Sequence, residues 1–325
     1  MPEAREKPRV DVLIGNEDRR AALERDVLVG LSLAPKELPP KWFYDERGSR
    51  LFDEITRLPE YYLTDREREI LEVRAAEIAR VVELDTLVEL GSGTSEKTRL
   101  LIDSLLAAGK LDRLVVFDYS EEFLRDAAAQ LAREYPSVEV HAVVGDFEQL
   151  DRLPGEGVRM IAFLGSTIGN LPPAVREAFL ARVSRQLRPG ESLLLGLDLV
   201  KDGARLEAAY NDSRGVTAEF NRNVLRVLNA ELHADFVPER FEHVARYDAE
   251  NEAIEMVLRS TCAQRVRIAD LDLDVAFAEG EEMRTEISAK FRRERIEREL
   301  NEAGLGLASW WTDSHGDFAL ALATR

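Results

Sequence analysis

The chain is poor in the residues that build metal clusters and disulfide frameworks. It has one cysteine and four histidines in 325 residues, and no two histidines stand at a spacing typical of metal ligands. A single thiol excludes an internal disulfide and a cluster of zinc-binding thiolates. We therefore expect no metal site and no fold that depends on disulfides.

Basic charge and long apolar runs are also scarce. Lysine and arginine number 44 against 62 acidic residues, and the resulting net charge of -18 repels nucleic-acid phosphates. No apolar run approaches the roughly 20 residues that span a bilayer, and the charged N-terminus lacks the apolar core of a signal peptide. These features predict a cytoplasmic protein with a small-molecule substrate and no nucleic-acid or membrane partner, and we expect a monomer.

Residues 84–200 alternate short apolar runs with amphipathic stretches, which is the pattern of an α/β fold with a parallel sheet between helices. The predicted strands are 86–90, 114–118, 138–144, 160–164 and 192–197. The predicted helices are 95–108, 121–134 and 173–187. Polar residues follow the strands, and parallel strands would bring them together at one edge of the sheet.

The flanking regions have a different pattern. Helices and loops are predicted over the first 80 residues, and Thr64 with Glu67 resembles a capping box. After residue 199, helices at 204–210 and 216–232 precede strand-like runs within 240–262 and 271–278. A charged amphipathic helix is predicted over 287–303, followed by a hairpin of 305–312 with 317–323.

The most informative motif follows the first predicted strand and reads Val88-Glu-Leu-Gly-Ser-Gly-Thr-Ser-Glu-Lys-Thr98. Gly91 and Gly93 allow the backbone to approach a ligand closely. Asp118 ends the next predicted strand, where such folds place a carboxylate on a pair of ribose hydroxyls. The strand, turn and helix together indicate a nucleotide site.

Two phosphate-binding interpretations fit this motif less well. A P-loop has a second glycine directly before its lysine, and Glu96 occupies that place with negative charge. A dinucleotide fold has a third glycine near the position of Ser95 and Glu96. We therefore favour an adenosyl ligand without a pyrophosphate, S-adenosylmethionine, and an ordinary tight turn is the alternative.

Long blocks of the chain resemble one family across nearly the whole length. The chain looks like a class I methyltransferase and, more closely, like the histidine Nα-methyltransferases of the ergothioneine pathway. The blocks are Leu38-Pro-Pro-Lys-Trp-Phe-Tyr-Asp-Glu-Arg-Gly48, Leu51-Phe-Asp-Glu-Ile-Thr-Arg-Leu-Pro-Glu-Tyr-Tyr62, Glu89-Leu-Gly-Ser-Gly-Thr-Ser-Glu-Lys-Thr98, Phe163-Leu-Gly-Ser-Thr-Ile-Gly-Asn170, Gly215-Val-Thr-Ala-Glu-Phe-Asn-Arg-Asn-Val224 and Arg284-Thr-Glu-Ile-Ser-Ala-Lys-Phe-Arg-Arg293.

This resemblance implies a Rossmann-like methyltransferase sheet and a second, substrate-binding domain made from the N-terminal helices and a late insertion. The cofactor-binding domain would comprise 62–199 and 287–325, and the substrate-binding domain 1–61 and 200–286. S-adenosylmethionine would be the cofactor. Its binding residues would be Gly91, Lys97 near the carboxylate, Asp118 on the ribose, and Asp146 with Phe147 around the adenine. The alternative for Lys97 is a solvated charge on a helix surface.

The resemblance also implies L-histidine as the substrate and its Nα-trimethylation to hercynine, the first step of ergothioneine biosynthesis, as the reaction. Tyr44 and Asn170 would be catalytic. The substrate-binding residues would be Phe52, Tyr61, Gly165, Asn170, Tyr210, Met256, Glu286 and Ser288. Each has a purely structural alternative, such as a core aromatic for Tyr61. Two other functions stay open: methyl transfer to tryptophan or tyrosine, and binding of S-adenosylmethionine without catalysis.

Overall fold

The computed structural model describes residues 8–93, 95–149 and 154–325. Their contacts divide the chain into two compact units. The first unit contains the segment up to Ile14, Leu63–Val200 and Phe291–Arg325. The second unit contains Gly15–Tyr62 and Lys201–Lys290.

The described residues form both strands and α-helices, and more of them lie in helices than in strands. The strands are β1 (Arg9–Val12), β2 (Lys36–Glu37), β3 (Thr86–Leu90), β4 (Arg113–Asp118), β5 (Glu139–Val144), β6 (Arg159–Phe163), β7 (Ser192–Asp198), β8 (Phe241–Asp248), β9 (Ala253–Ser260), β10 (Gln264–Ile268), β11 (Leu273–Phe277), β12 (Glu282–Ala289), β13 (Gly306–Thr312) and β14 (Phe318–Thr324). The helices are α1 (Asn16–Gly30), α2 (Glu46–Ile55), α3 (Leu63–Val81), α4 (Thr98–Ala107), α5 (Glu121–Glu134), α6 (Pro173–Gln186), α7 (Gly203–Tyr210), α8 (Val216–Leu232) and α9 (Arg293–Glu302).

An eight-stranded sheet forms the centre of the first unit, in the order β1-β5-β4-β3-β6-β7-β14-β13. The strands from β1 to β7 in this order are parallel, and β14 and β13 are antiparallel to their neighbours. All residues of β3, β6 and β7 are buried, as expected for central strands covered on both faces. The predicted Rossmann-like α/β sheet and its closing hairpin are confirmed.

The order in which successive strands are added to this sheet reverses at β3, which pairs with β4 on one side and with β6 on the other. In doubly wound sheets the ligand crevice lies at such a switch point, outside the carboxyl ends of the strands. The loops after β3, β4, β5 and β6 therefore leave the sheet at one edge. The predicted cofactor-binding residues lie at this edge, after β3 and β5 and at the end of β4.

A four-stranded sheet, in the order β2-β12-β9-β8, and the two-stranded β10-β11 ribbon belong to the second unit. Strand β12 pairs antiparallel with β9, which sets Glu286 opposite Met256 and Ser288 opposite Ile254. The register shifts between Arg284 and Glu286. Successive residues of a strand point to opposite faces, so Glu286 and Ser288 share one face of β12.

The prediction of a helix over 287–303 is wrong for residues 287–292. Residues 287–289 belong to β12, and α9 begins only at Arg293. The charged residues after 292 have helical periodicity and form the helix. Ile287 and Ala289 instead pair with residues of β9. Pairing with a distant strand therefore outweighs the local preference for a helix.

The N-terminal region also differs from the prediction. Strand β1 pairs in parallel with β5 and so lies in the large sheet, whereas the sequence predicted only helix and loop there and placed residues 1–61 in the other domain. Helix α3 begins at Leu63, so Thr64 lies within its first turn and does not cap it. The side chain of Glu67 contacts Lys97 and Gly165 instead of closing a capping box.

Candidate active site

The glycine-rich loop after β3 combines left-handed backbone with open space. Gly91 and Gly93 have φ angles of +66° and +50°. A Cβ at either position would meet no atom of the described residues within 4 Å. Ser92 is buried, and its Oγ has no hydrogen-bond partner in the described parts of the chain. The loop thus offers close backbone approach and a polar atom to a ligand, which fits the implied cofactor.

Glu89 is a buried acid near the end of β3 that was not among the predicted site residues. Its carboxylate accepts hydrogen bonds from the hydroxyls of Ser95, at 2.7 Å, and Thr98. Burial raises the pKa of Glu89 to about 7, although these hydroxyls partly oppose the shift. Because Thr98 begins α4, Glu89 ties the strand to the start of the helix. The signal in the sequence was an acid inside an apolar strand.

Asp118 ends β4 and is oriented by the same loop. Its carboxylate accepts hydrogen bonds from the backbone N–H groups of Gly93, at 3.0 Å, and Ser120, at 3.1 Å. Burial raises the pKa of Asp118, and the backbone donors act in the opposite direction. The predicted ribose-binding carboxylate is therefore held in place beside the glycine-rich loop.

Lys97 is paired with Glu67 and is not a solvated surface charge. The Lys97 ammonium donates to the Glu67 carboxylate, whose side chain is completely buried. The same carboxylate accepts the backbone N–H of Gly165 at 2.8 Å. A Cβ at Gly196 in β7 would lie 2.1 Å from Glu67 Oε1, so only glycine leaves room there. Glu67, whose spacing from Thr64 predicted a capping residue, thus links the predicted site residues Lys97 and Gly165.

Asp146 and Phe147 follow β5 at the same edge. The buried Asp146 carboxylate accepts the backbone N–H of Glu148 at 2.8 Å. The Phe147 ring packs edge-on against Phe163, with centroids 5.1 Å apart, and against Phe179 at 6.2 Å. These contacts fix the ring in one orientation. Residues 150–153, which come next, lie outside the described residues.

The contacts of Lys97 and Thr98 also bear on the P-loop alternative. In a P-loop the lysine and the hydroxyl face phosphates and a metal ion. Here Lys97 pairs with Glu67, and Thr98 donates to Glu89. Both side chains are thus engaged by carboxylates of the chain itself, which does not fit a P-loop.

In the second unit, predicted acceptor-site residues form a continuous series of aromatic contacts. The ring centroids of Tyr44 and Phe52 lie 5.7 Å apart, those of Phe52 and Tyr61 6.3 Å, and those of Tyr61 and Tyr210 6.2 Å. All three pairs are edge-on, a favourable geometry for aromatic rings. Phe220 on α8 contacts both Tyr44 and Phe52 and supports the series. Residues far apart in sequence are thereby brought together.

Tyr210 is also one corner of a buried triangle with Ser288 and Lys290. Tyr210 Oη and Ser288 Oγ are 2.8 Å apart. Lys290 Nζ donates to Tyr210 Oη at 3.0 Å and to Ser288 Oγ at 2.8 Å. Lys290 is fully buried, and no motif in the sequence predicted it as a site residue. We call these three residues the Lys290 triangle.

Glu286 and Met256 lie directly opposite each other on β12 and β9. Both are buried. Burial raises the pKa of Glu286 to about 7, and the positive charge of Lys290 partly opposes this shift. Glu286, Ser288 and Met256, three predicted substrate-binding residues, are therefore neighbours on one sheet.

A buried polar network supports Tyr210 through its backbone. His243 Nε2 lies 2.8 Å from the carbonyl oxygen of Tyr210, and His243 Nδ1 lies 2.8 Å from the amide nitrogen of Asn221. We assign the ring proton to Nε2, because the carbonyl accepts and the amide donates. Thr285, at the register shift before Glu286, donates to Asn221 Oδ1 at 2.6 Å. Burial lowers the pKa of His243, which keeps its ring neutral.

Gly165 and Asn170 are predicted acceptor-site residues of the first unit. They lie in the turn after β6, where Gly165 has a φ of +72° and Asn170 ends a short 3-10 helix. Ser166, between them, also has a positive φ, and its Oγ accepts the backbone N–H of Asp198 at 2.9 Å. The turn is thus anchored to β7.

One group of metal-type ligands occurs in the described residues, at Glu69, Asp313 and His315. The carboxylate of Asp313 accepts the backbone N–H groups of His315, Asp317 and Phe318, and so organises the β13-β14 turn. These bonds account for the cluster as a structural feature, and the expected absence of a metal stays a prediction. Among the helices of the described residues, none has the length and apolarity needed to cross a bilayer.

Comparison with known proteins assigns the family. Residues 23–325 match the model of the family described as "Histidine-specific methyltransferase, SAM-dependent". The chain is 58% identical to the histidine N-alpha-methyltransferase of Mycolicibacterium smegmatis, over 94% of this chain and 95% of that protein. It is 56% identical to the histidine N-alpha-methyltransferase of Mycobacterium tuberculosis, over 96% and 98%.

A more distant relative is ergothioneine biosynthesis protein 1 of Neurospora crassa. It is 33% identical over 86% of this chain, which corresponds to 32% of that longer protein. The family model covers nearly the whole chain, and the two mycobacterial-type relatives align almost end to end. The chain therefore belongs to the family of histidine-specific, S-adenosylmethionine-dependent methyltransferases.

Proposed function

We propose that this protein trimethylates the α-amine of L-histidine to give hercynine, the first step of ergothioneine biosynthesis, with S-adenosylmethionine as methyl donor. The observation that carries the proposal is the placement of Glu286 and Ser288 on one face of β12. A carboxylate and a hydroxyl can satisfy both nitrogens of an imidazole ring. Membership of the histidine-specific family supports the same acceptor.

S-adenosylmethionine supplies a methyl group that its sulfonium charge already activates. Gly91 provides close backbone approach, Asp118 accepts from the ribose hydroxyls, and Lys97 neutralises the carboxylate. Asp146 accepts from the adenine amine, and Phe147 packs on the adenine. The fixed orientations of Asp118 and Phe147 support these roles, because preorganised partners reduce the entropy lost on binding.

On the acceptor side, Asn170, Tyr61 and Tyr210 bind the carboxylate of histidine with amide and phenol donors. Gly165 accepts from the amine through its backbone carbonyl. Phe52 and Met256 form walls around the substrate. Catalysis then depends mainly on positioning, since aligning amine and methyl group removes much of the entropic barrier.

Tyr44 assists removal of a proton from the substrate nitrogen, as the lone pair must be exposed before each transfer. Its hydroxyl oxygen takes up this proton as its own O–H proton passes to water, so the phenol stays neutral, or a bound water accepts the proton instead. The product carries a permanent positive charge, which the faces of Tyr44 and Phe52 stabilise. The edge-on contact of these two rings keeps them in place for this role.

Two alternatives rest on weaker grounds. Tryptophan and tyrosine would each offer Glu286 one donor, the indole N–H or the phenol O–H, but neither side chain has a ring nitrogen that accepts from Ser288. A protein that only binds S-adenosylmethionine would not need Tyr44, Glu286 and Ser288 together. The cytoplasmic location and the monomeric state stay predictions, and analytical ultracentrifugation tests the second.

The direct experiment incubates the protein with S-adenosylmethionine and each proteinogenic amino acid in turn and measures product mass. We expect products with one, two and three added methyl groups from histidine. Calorimetry of the same amino acids, with and without S-adenosylhomocysteine, separates binding from turnover. A protein that methylates no free amino acid would contradict the proposed function.

A further inference from the structure

We propose that a β-bulge at Thr285, held in place by Asn221, determines which face of β12 carries the residues that recognise histidine. Thr285 and Asn221 are positioning residues: they act through Glu286 and Ser288 and need no contact of their own with the substrate. This inference rests on the proposed function, because that function assigns the imidazole ring to Glu286 and Ser288.

The bulge is visible in the pairing of β12 with β9. Arg284 lies opposite Val257, and Glu286 lies opposite Met256, so three residues of β12 span two consecutive residues of β9. Thr285 is the extra residue, which the pairing of the two strands skips. An extra residue changes the phase of the side-chain alternation, so that residues two positions apart lie on opposite faces.

The two faces of the sheet differ in character, which reveals this change of phase. Arg284 lies on a face with ion pairs, where its guanidinium is 3.7 Å from the Glu255 carboxylate. Ile287 is paired with Glu255 and is partly exposed on that face. Glu286, only two positions after Arg284, is buried on the other face with Met256. The bulge thus places an acid inside and an apolar residue outside.

Without the bulge, residues 285–289 would continue the pairing of the preceding residues, and the extra residue would be taken up after the strand. Ile287 would then turn inward, and Glu286 with Ser288 would turn outward. The slip would also break the Lys290 triangle, to which Ser288 belongs. This register has favourable terms of its own, because it buries an apolar side chain and returns an acid to water. The observed register therefore needs a contact that favours it.

Asn221 on α8 supplies this contact and binds both strands at the bulge. Its Oδ1 accepts from Thr285 Oγ1 at 2.6 Å, and Thr285 Oγ1 lies 3.1 Å from the Met256 carbonyl oxygen. Its amide nitrogen donates to the Val257 carbonyl oxygen at 3.2 Å. The same nitrogen donates to His243 Nδ1 at 2.8 Å, so both amide protons are used.

The contact between Thr285 and Asn221 exists only in the observed register. A slip moves Thr285 into the present place of Glu286, which is about 3.3 Å along the strand. A hydrogen bond of 2.6 Å does not survive such a movement. Both side chains are buried, so water does not replace the lost partner easily, and the slip leaves a polar group of Asn221 unsatisfied.

The test reads the register through thiol reactivity in the full-length protein with Cys262 replaced by serine. Single cysteines are introduced by Ser288→Cys, on the buried face, and by Ile287→Cys, on the partly exposed face. Adding Thr285→Val should raise the reaction rate at position 288 about tenfold or more and lower the rate at position 287, because labelling follows the population of each register. Asn221→Ala is the second variant and should act in the same direction.

A matched reporter on β9 separates a slip from a general loosening. Ile254 is buried directly opposite Ser288, and its exposure does not depend on the register of β12. The thiol of Ile254→Cys should react at the same rate with and without Thr285→Val. Without any introduced cysteine, Thr285→Val should weaken histidine binding about tenfold or more and leave S-adenosylhomocysteine affinity unchanged.

Deletion of Thr285 distinguishes the register from the loss of a hydroxyl. In the shortened strand, Glu286 follows Arg284 directly and still lies opposite Met256, now in a regular ladder. The deletion should therefore retain histidine affinity about fivefold or more above that of Thr285→Val, although both variants lack the same hydroxyl. A purely structural role of Thr285 predicts the reverse order.

Three results would overturn the role of the bulge. They are a parallel rise of the thiol rates at positions 254, 287 and 288, an unchanged histidine affinity in Thr285→Val, and a deletion variant that binds histidine no better than Thr285→Val. Failure of the proposed function gives a different result. The thiol rates at 287 and 288 would then still change in opposite directions, but the wild type would not bind histidine.

Discussion

Glu286 and Met256 face each other directly across β12 and β9, so a carboxylate and a flexible apolar side chain border the same space. This relationship has a consequence for acceptor choice. The carboxylate favours a ring with an N–H group, and the methionine limits the volume beside it. Changing both residues should therefore alter which amino acid is methylated.

The double variant Glu286→Ala with Met256→Val should lose histidine turnover and gain activity on tryptophan. Loss of a buried hydrogen-bond partner costs about 1 to 3 kcal/mol, or roughly 5- to 150-fold in histidine kcat/KM. Product mass spectrometry with both amino acids measures the change. Glu282→Ala on the same strand, whose carboxylate pairs with Arg246 and Arg259, is the control. An unchanged histidine preference in the double variant would show that the ring is recognised elsewhere.

The Asp118→Ala variant should bind S-adenosylmethionine more weakly and keep its fold. Charge-assisted hydrogen bonds contribute about 1.5 to 3 kcal/mol each, so at least a tenfold loss of affinity is expected. Calorimetric titration gives the affinity, and circular dichroism checks the fold. Asp126→Ala, on the exposed side of α5, should have no effect. Equal affinities for both variants would remove Asp118 from the site.

The variants Asn170→Ala and Tyr210→Phe should raise KM for histidine far more than KM for S-adenosylmethionine. Both side chains are proposed to hold the substrate's carboxylate. Steady-state kinetics with each substrate varied in turn measures the effect, and Tyr62→Phe serves as a control for loss of a buried phenol. Histidine methyl ester should bind poorly to the wild type. If it bound as well as histidine, the assigned carboxylate contact would be wrong.

Ionisation of Glu286 should make the unliganded protein less stable as the pH rises. Its pKa is about 7 in the folded state and 4.5 in the reference state, so the folded protein holds the proton more tightly. The stabilisation of the folded state by the Glu286 proton is complete below about pH 4.5 and is lost as the pH rises to about 7. It amounts to about 3 kcal/mol, because each pKa unit corresponds to about 1.36 kcal/mol. Relative to wild type, Glu286→Gln should gain stability between pH 5 and pH 8.

Urea denaturation at both pH values tests this expectation. Glu282→Gln is the control, because the pKa of Glu282 is shifted in the opposite direction. Burial raises the pKa of Glu282, but hydrogen bonds from Arg246 and Arg259 outweigh burial and lower it. Its removal should cost stability at the higher pH. Parallel pH profiles for wild type and Glu286→Gln would refute the assigned shift.

Gly196→Ala should weaken cofactor binding through Glu67. The new Cβ would lie 2.1 Å from Glu67 Oε1, and the carboxylate is held by Lys97 and Gly165. Overpacking of this kind costs about 1 to 3 kcal/mol of stability, and a displaced Glu67 would release Lys97. Thermal unfolding and S-adenosylhomocysteine titration measure both effects. Gly306→Ala in β13, where the nearest neighbour is 4.0 Å away, should be neutral.

The sequence by itself determined the architecture of the first unit. Short buried apolar runs and helical periodicity are local properties, and they predicted β3 to β7, the glycine-rich loop and the closing hairpin. Local pattern failed where distant pairing decided the outcome. Strand β1 depends on β5, and residues 287–289 depend on β9. Neither partner can be read from the segment itself.

The residues of the candidate site also fall into those that the sequence predicted and those that only the tertiary structure revealed. Gly91, Asp118 and the blocks of family resemblance were visible in the sequence, because each is a short motif. The roles of Glu67, Glu89, His243 and Lys290 emerged only from tertiary structure. Each is a charged or polar side chain that is buried and hydrogen-bonded in the folded protein. Burial and hydrogen-bond partners, which set their pKa values and orientation, are properties of the folded chain and not of residue type or spacing.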